Sequence, residues 1–173
     1  MPTRWLHALV QRLLAAAALL SLLPLLMWAA PAAAITAPEL RGQRSLQDLQ
    51  PDMHGRNLQQ QEFLKANLEG FDLSETDLRG AVFNTANLQN SNLRAADLED
   101  AVAFACRFDG ADLSGAVFRN AMLMSSKFTA ATIEGADFTD AVIDLPQQKA
   151  LCSRASGVNP RTGVATSDSL NCR

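Results

Sequence analysis

The chain has 173 residues, with 15 Lys and Arg against 18 Asp and Glu, and a net charge of −3. That length holds one domain or two small ones, and the charge balance excludes a surface built to hold polyphosphate, which needs clustered positive charge. With no Tyr, 2 His and 3 Cys, catalysis through those side chains has few residues to draw on.

Residues 1–12 carry Arg4 and Arg12 and no acid, and Leu13 to Ala34 is an uncharged run dominated by Leu and Ala. The run ends Ala30-Pro31-Ala32-Ala33-Ala34, and Ala32-x-Ala34 has the small-x-small form of a signal-peptidase site. Residues 1–34 are therefore expected to be a signal peptide on the general secretory route, since no twin-Arg pair is present. The alternative is an uncleaved anchor, because a run of this length can span a bilayer. Cleavage removes two bases and leaves 13 against 18 acids, a net charge of −5. Residues 35–57 are read as an N-terminal flank.

From Leu58 to Ile143 a period of five runs without interruption. The positions Leu58, Phe63, Leu68, Leu73, Leu78, Phe83, Leu88, Leu93, Leu98, Ala103, Phe108, Leu113, Phe118, Leu123, Phe128, Ile133, Phe138 and Ile143 are Leu, Phe or Ile in all cases but Ala103. Two residues earlier runs a second series of small residues, mostly Ala, with Thr76, Ser91, Cys106 and Ser126 among the rest and Arg56, Gln61 and Phe71 as exceptions. A period of five fits neither a helix at 3.6 nor a strand at 2.0. It fits a square coil in which each pentapeptide is one side. The large central residue then points at a narrow axis, and the small residue fills the corner without overpacking it. The other three positions face water, where Asn and Asp suit a turning backbone.

The segments Ala66-Asn67-Leu68, Ala86-Asn87-Leu88, Ala96-Asp97-Leu98, Ala111-Asp112-Leu113 and Ala136-Asp137-Phe138 resemble the A-(D/N)-L-x-x motif of pentapeptide-repeat proteins. The resemblance implies an all-β solenoid, a right-handed quadrilateral β-helix over residues 58–143. Eighteen pentapeptides would make about 4.5 coils, stacked about 4.8 Å apart. Two positions depart from the motif: Ala103, where a void is expected unless Phe104 partly fills it, and Phe71, where a small residue is expected.

Residues 144–173 leave the period and are read as a short α-helical C-terminal cap, because a solenoid otherwise exposes its last core layer and backbone edge. Pro146 suits a first helical turn and Gly157 an exit. A second short helix is expected from Thr166 or Ser167. Cys106 falls on a small interior position and is expected to be a buried free thiol. Cys152 and Cys172 lie in the tail of a chain that is expected to be exported, so a disulfide between them is the natural reading. The alternative is a redox-active pair, although no Cys-x-x-Cys motif is present. The tail segments Leu145-Pro146-Gln147-Gln148-Lys149-Ala150-Leu151-Cys152, Asn159-Pro160-x-Thr162-Gly163-Val164-x-Thr166 and Ser169-Leu170-x-Cys172 are similar to the C-terminal segment of thylakoid lumenal pentapeptide-repeat proteins. The similarity implies a cyanobacterial chain of the thylakoid lumen, with the periplasm second, and carries over no activity.

The chemistry-bearing residues are few. Catalytic carboxylate pairs need a cleft and perturbed pKa values, which a convex column does not offer, so no enzyme activity and no cofactor are expected. His54 stands alone, without a second His for a zinc set. The Asp ladder that might attract Ca²⁺ is interrupted by Arg79, Arg94, Arg107, Arg119 and Lys127, which reads as a solvated face, so no metal is expected. The same bases argue against mimicry of DNA, and no nucleic-acid partner is expected. Sorting outward residues by side of the square singles out one side. Val82, Val102 and Met122 precede its central residues, and Phe104 and Met124 follow them, whereas the other sides carry Asp77, Asp97 and Asp137, or Asp72, Asn92 and Asp112, or Asn67, Asn87, Arg107 and Lys127. Val82, Val102, Phe104, Met122 and Met124 are thus the candidate interaction face, for a protein partner or self-association, unless a flank of the same chain covers them. The sequence reading is a non-enzymatic scaffold or interaction module of the lumen. Its alternative is a redox-responsive regulator acting through Cys152 and Cys172.

Overall fold

The computed structural model describes residues 49–173; the expected signal peptide and most of the N-terminal flank lie outside the described residues. The column is built from isolated parallel bridges rather than continuous strands. Every bridge but one joins residues 20 apart, from Asp52↔Asp72 to Met122↔Val142, so four pentapeptides complete a turn. The ladder starts one pentapeptide before the expected boundary at Leu58. Met53 is 1% exposed and occupies a central position, and His54, expected to precede the coils, lies within the first of them. Met is an equally good core residue, but it falls outside the Leu/Phe/Ile signal that defined the period.

The local rule is the same at each corner but that of Cys106, whose N–H donates to Ser126 Oγ at 2.9 Å. The small residue donates its N–H to the carbonyl of the preceding central residue, as Ala81 does to Leu78 at 3.0 Å and Ala116 to Leu113 at 3.0 Å. The third residue of this four-residue turn has positive φ throughout. Six Gly occupy that place between Gly55 and Gly135, but so do Lys65, Glu75, Thr85, Ala95 and Ala130 with φ between 54 and 57°. Such a φ disfavours residues with a Cβ. It persists because ladder bonds fix both flanks of each turn: Leu98 N–H donates to Val117 O at 2.7 Å, and Val102 N–H to Ala81 O at 2.9 Å.

The Asp or Asn of the motif supplies the remaining local bond. Its carboxylate or amide oxygen accepts the N–H two residues on, as Asp72 Oδ1 accepts from Ser74 at 2.9 Å and Asp137 Oδ1 from Thr139 at 2.9 Å. These are Asx turns, and they explain why this position prefers a short side chain ending in oxygen.

Inside, central residues from Leu68 to Phe138 are at most 2% exposed. Phenylalanines stack along the axis: Phe63 on Phe83 at 4.8 Å, Phe108 on Phe128 at 5.0 Å, and Phe118 on Phe138 at 5.1 Å. Aromatic stacking at the ladder spacing adds to area burial. The expectation that Phe104 fills the space at Ala103 fails: Phe104 is 45% exposed while Ala103 is buried. The residue following a central one must point outward, whatever its hydrophobicity. Phe71 is only partly buried at its corner, packed against the core edge.

Two helices follow the coils, α1 at Leu145–Cys152 with Pro146 in its first turn, and α2 at Thr166–Ser169. Leu151 of α1 and Leu170, which follows α2, join the core cluster. Among the described residues no helix is long and apolar enough to cross a membrane.

Candidate docking face

The square has four faces, numbered by central residue: face 1 holds Leu73, Leu93, Leu113 and Ile133; face 2 Leu78, Leu98, Phe118 and Phe138; face 3 Phe83, Ala103 and Leu123; face 4 Leu88, Phe108 and Phe128. The tail lies over the corner between faces 1 and 2. Asn159 is fully buried there, and its Nδ2 donates to Gly135 O at 2.8 Å, Gly115 O at 3.1 Å and Ala116 O at 3.3 Å. Its Oδ1 accepts Arg161 N–H at 2.9 Å and Thr162 N–H at 3.0 Å, which shapes the turn carrying it. Arg161 reaches Asp97 at 3.2 Å. Arg79 pairs with Asp77 at 2.6 Å and approaches Asp97 at 3.6 Å.

The tail also serves the end of the column. Arg154 Nε donates to Ala131 O at 3.1 Å, Ser169 Oγ accepts Phe138 N–H at 3.0 Å, and Gly135 N–H donates to Ser156 O at 2.8 Å. These replace the bonds that a following coil would make. Cys152 and Cys172 are bonded, with Cα atoms 5.5 Å apart and a separation of 20 residues. Cys106 is free and buried; burial pushes its thiol up to about 11, which keeps it neutral and unreactive.

Face 2 is less polar than its Asp residues imply, because Val117 sits between Asp97 and Asp137. Val117 is 2% exposed, so face 2 presents no apolar surface. Face 3 is different. Val82 and Val102 are half-buried, whereas Phe104, Met122 and Met124 are 45%, 45% and 37% exposed. Leu64 and Val142, on the same face, are exposed as well. Polar closure is limited to the C-terminal end, where Ser125 N–H donates to Asp144 Oδ2 at 2.6 Å. Among the described residues, no segment covers this stripe. Its apolar character was legible from the twenty-residue spacing. The tail anchors Asn159, Arg154 and Arg161 were missed, since nothing in their spacing marks them.

The remaining candidates stay apart. His54 Nδ1 lies 2.9 Å from Ser74 Oγ on face 1, and among the described residues no group of three His, Cys, Asp or Glu is arranged to hold a metal.

The family model for pentapeptide repeats matches in eight copies over residues 62–100 and 104–140. A pentapeptide repeat protein from the Arabidopsis thaliana thylakoid lumen shares 34% identity over 69% of this chain and 90% of its own, with a TM-score of 0.36. The chain belongs to the pentapeptide-repeat family. The architecture is therefore that family's right-handed quadrilateral β-helix. The break in the family match falls at residues 101–103, where Ala103 replaces a large central residue. Another pentapeptide repeat protein, from Nostoc PCC 7120, is 36% identical over 53% of this chain and 72% of its own, with a TM-score of 0.28. HetL, a pentapeptide repeat protein of Nostoc sp. strain PCC 7120 involved in heterocyst differentiation regulation, is 26% identical over 53% of this chain and 48% of its own, with a TM-score of 0.29. No curated protein matches the sequence.

Proposed function

We propose that this pentapeptide-repeat protein is a non-enzymatic docking module of the thylakoid lumen that binds a protein partner through face 3. The observation that carries the reading is the asymmetry of the column. Its tail lies over the corner between faces 1 and 2, while face 3 leaves Phe104, Met122 and Met124 open to water. Exposed apolar area costs about 25 cal/mol per Å², and contiguous stripes of this kind mark interfaces. Met and Phe suit such a surface, since both adapt to a partner's shape. The lumenal location is supported by the thylakoid lumen relative at 34% identity, the signal-like residues 1–34 and the disulfide in the tail.

The redox-regulator alternative finds less support. The tail is held by Asn159, Arg154, Arg161 and Ser169 independently of the disulfide, so reduction alone would not free it. The separating experiment is the double variant Val102→Lys with Met122→Lys. Both side chains have an outward path, so the melting temperature is expected to stay within a few degrees of wild type. Association in lumen extract, followed by native gel mobility, is expected to disappear. Unchanged mobility together with unchanged stability would remove face 3 from the account.

A further inference from the structure

Face 3 does not stand alone: it turns a corner into face 4, and the corner residues are charged. Arg107 lies three residues after Phe104, and Lys127 three residues after Met124, so each apolar side chain has a cation across the corner in the same coil. Arg107 and Lys127 are themselves bridged partners on consecutive coils, which places their backbones about 4.8 Å apart. Both are exposed. They border a shallow concavity of about 500 Å³ that Gln89, Asn90 and Thr129 also line.

Like charges directly opposite each other on a ladder are unfavourable. Elsewhere the molecule offsets such rungs from within. The Asp77↔Asp97 rung has Arg79 against both carboxylates, at 2.6 and 3.6 Å, and Arg161 against the second at 3.2 Å. In the Asp52↔Asp72 rung, Asp72 accepts from Ser74 Oγ at 2.5 Å and Asn92 Nδ2 at 3.0 Å. The Arg107↔Lys127 rung has only Asp109, whose Oδ2 is 3.5 Å from Arg107 Nε. Among the described residues Lys127 has no carboxylate at ion-pair distance. This pair of cations stands on a column that carries 13 acids against 7 bases over residues 53–143, the pair included.

We propose that the corner between faces 3 and 4 receives an acidic, amphipathic segment of a partner protein, with its apolar side chains on Phe104 and Met124 and its carboxylates on Arg107 and Lys127. This rests on the docking reading of face 3 and adds the chemistry of what docks there. The other bases of the column stand singly among acids, so the adjacent pair is what fixes position and register. An anionic bilayer fits less well, because the repeat region as a whole is net negative and would be pushed away from it.

The test titrates the isotopically labelled exported protein with three 12-residue peptides sharing the same Leu and Phe positions, their polar positions being all Glu, all Gln or all Lys. The Glu peptide is expected to shift the amides of residues 102–109 and 122–129, and to bind roughly tenfold more tightly than the Gln peptide at low salt. High salt should erase that advantage, and so should Arg107→Gln with Lys127→Gln, which leaves the melting temperature unchanged. The Lys peptide should be the weakest. Equal binding of the Glu and Gln peptides at face 3 would overturn this inference and leave the apolar docking face standing. Shifts on any other face, or none with either peptide, would overturn both. Anionic vesicles displacing the Glu peptide, with the same dependence on Arg107 and Lys127, would reassign the corner to lipid and overturn the proposal.

Discussion

Replacing Asn159 with Ala tests how the tail is held. The side chain is fully buried, and it is the donor to Gly115 O and Gly135 O, neither of which has another protein donor among the described residues. Two buried carbonyls and two turn amides, those of Arg161 and Thr162, lose their partner together. An orphaned buried group costs about 1–3 kcal/mol, and water reaching the new cavity recovers part of that, so the net cost is about 3 kcal/mol. For a domain of this size that is about 10 °C in Tm. Asn159→Asp is expected to be worse than Ala. It keeps the acceptor but places an anion against the same carbonyls. Thermal unfolding by circular dichroism measures both, and hydrogen exchange at residues 115, 135 and 161 shows whether the tail lifts first. A shift under 2 °C for Ala, or a milder effect for Asp than for Ala, would refute the clamp.

Leu98→Asp is expected to unfold the column, since Leu98 is fully buried on the axis and an unpaired charge there costs several kcal/mol. Asp97→Ala, one residue away, is expected to cost about 1 kcal/mol through loss of the Glu99 turn bond and the Arg161 pair; equal denaturant midpoints for the two would show that the inside-outside register is wrong. Thiol labelling of the unreduced protein is expected to modify one cysteine, Cys106, and only in denaturant, because the folded thiol is buried and pushed up to about 11. Three labelled cysteines by mass spectrometry would contradict this. Arg79, against some desolvation and helped by Gln59, holds Asp77 down at about 2, below its ordinary 3.8. Since the folded value is the lower one, the stabilisation is present above about pH 4 and lost as pH falls through 2. Asp77→Asn should flatten the acid limb of stability in that window, and an unchanged acid limb would discount the pair.

Much of the architecture was legible because the repeat states one packing rule eighteen times. Central Leu and Phe, the small corner residue and the Asx position each follow from a single local geometry, so the register could be read without a fold in hand. Met53 escaped because it obeys the geometry with a residue outside the pattern, and Phe104 because hydrophobicity was weighed above position. The positive-φ corner was not visible, since Lys65, Thr85 and Ala95 occupy it as readily as Gly; the ladder, not the residue, imposes that conformation. The apolar stripe was legible from a twenty-residue spacing. That it stays open depends on where the tail folds, and the choice of the corner between faces 1 and 2 rests on Asn159, one Asn among many until its three carbonyl partners are seen.

The most direct measurement of the docking claim is site-specific photo-crosslinking from single positions of the otherwise native protein in lumen extract. A photoreactive side chain at Phe104 or at Met124 is expected to give the same discrete adduct. The same group at Thr132 or at Arg94, both exposed on face 1, should give none. Equal adduct patterns from all four positions, or an adduct from Thr132 alone, would contradict the account.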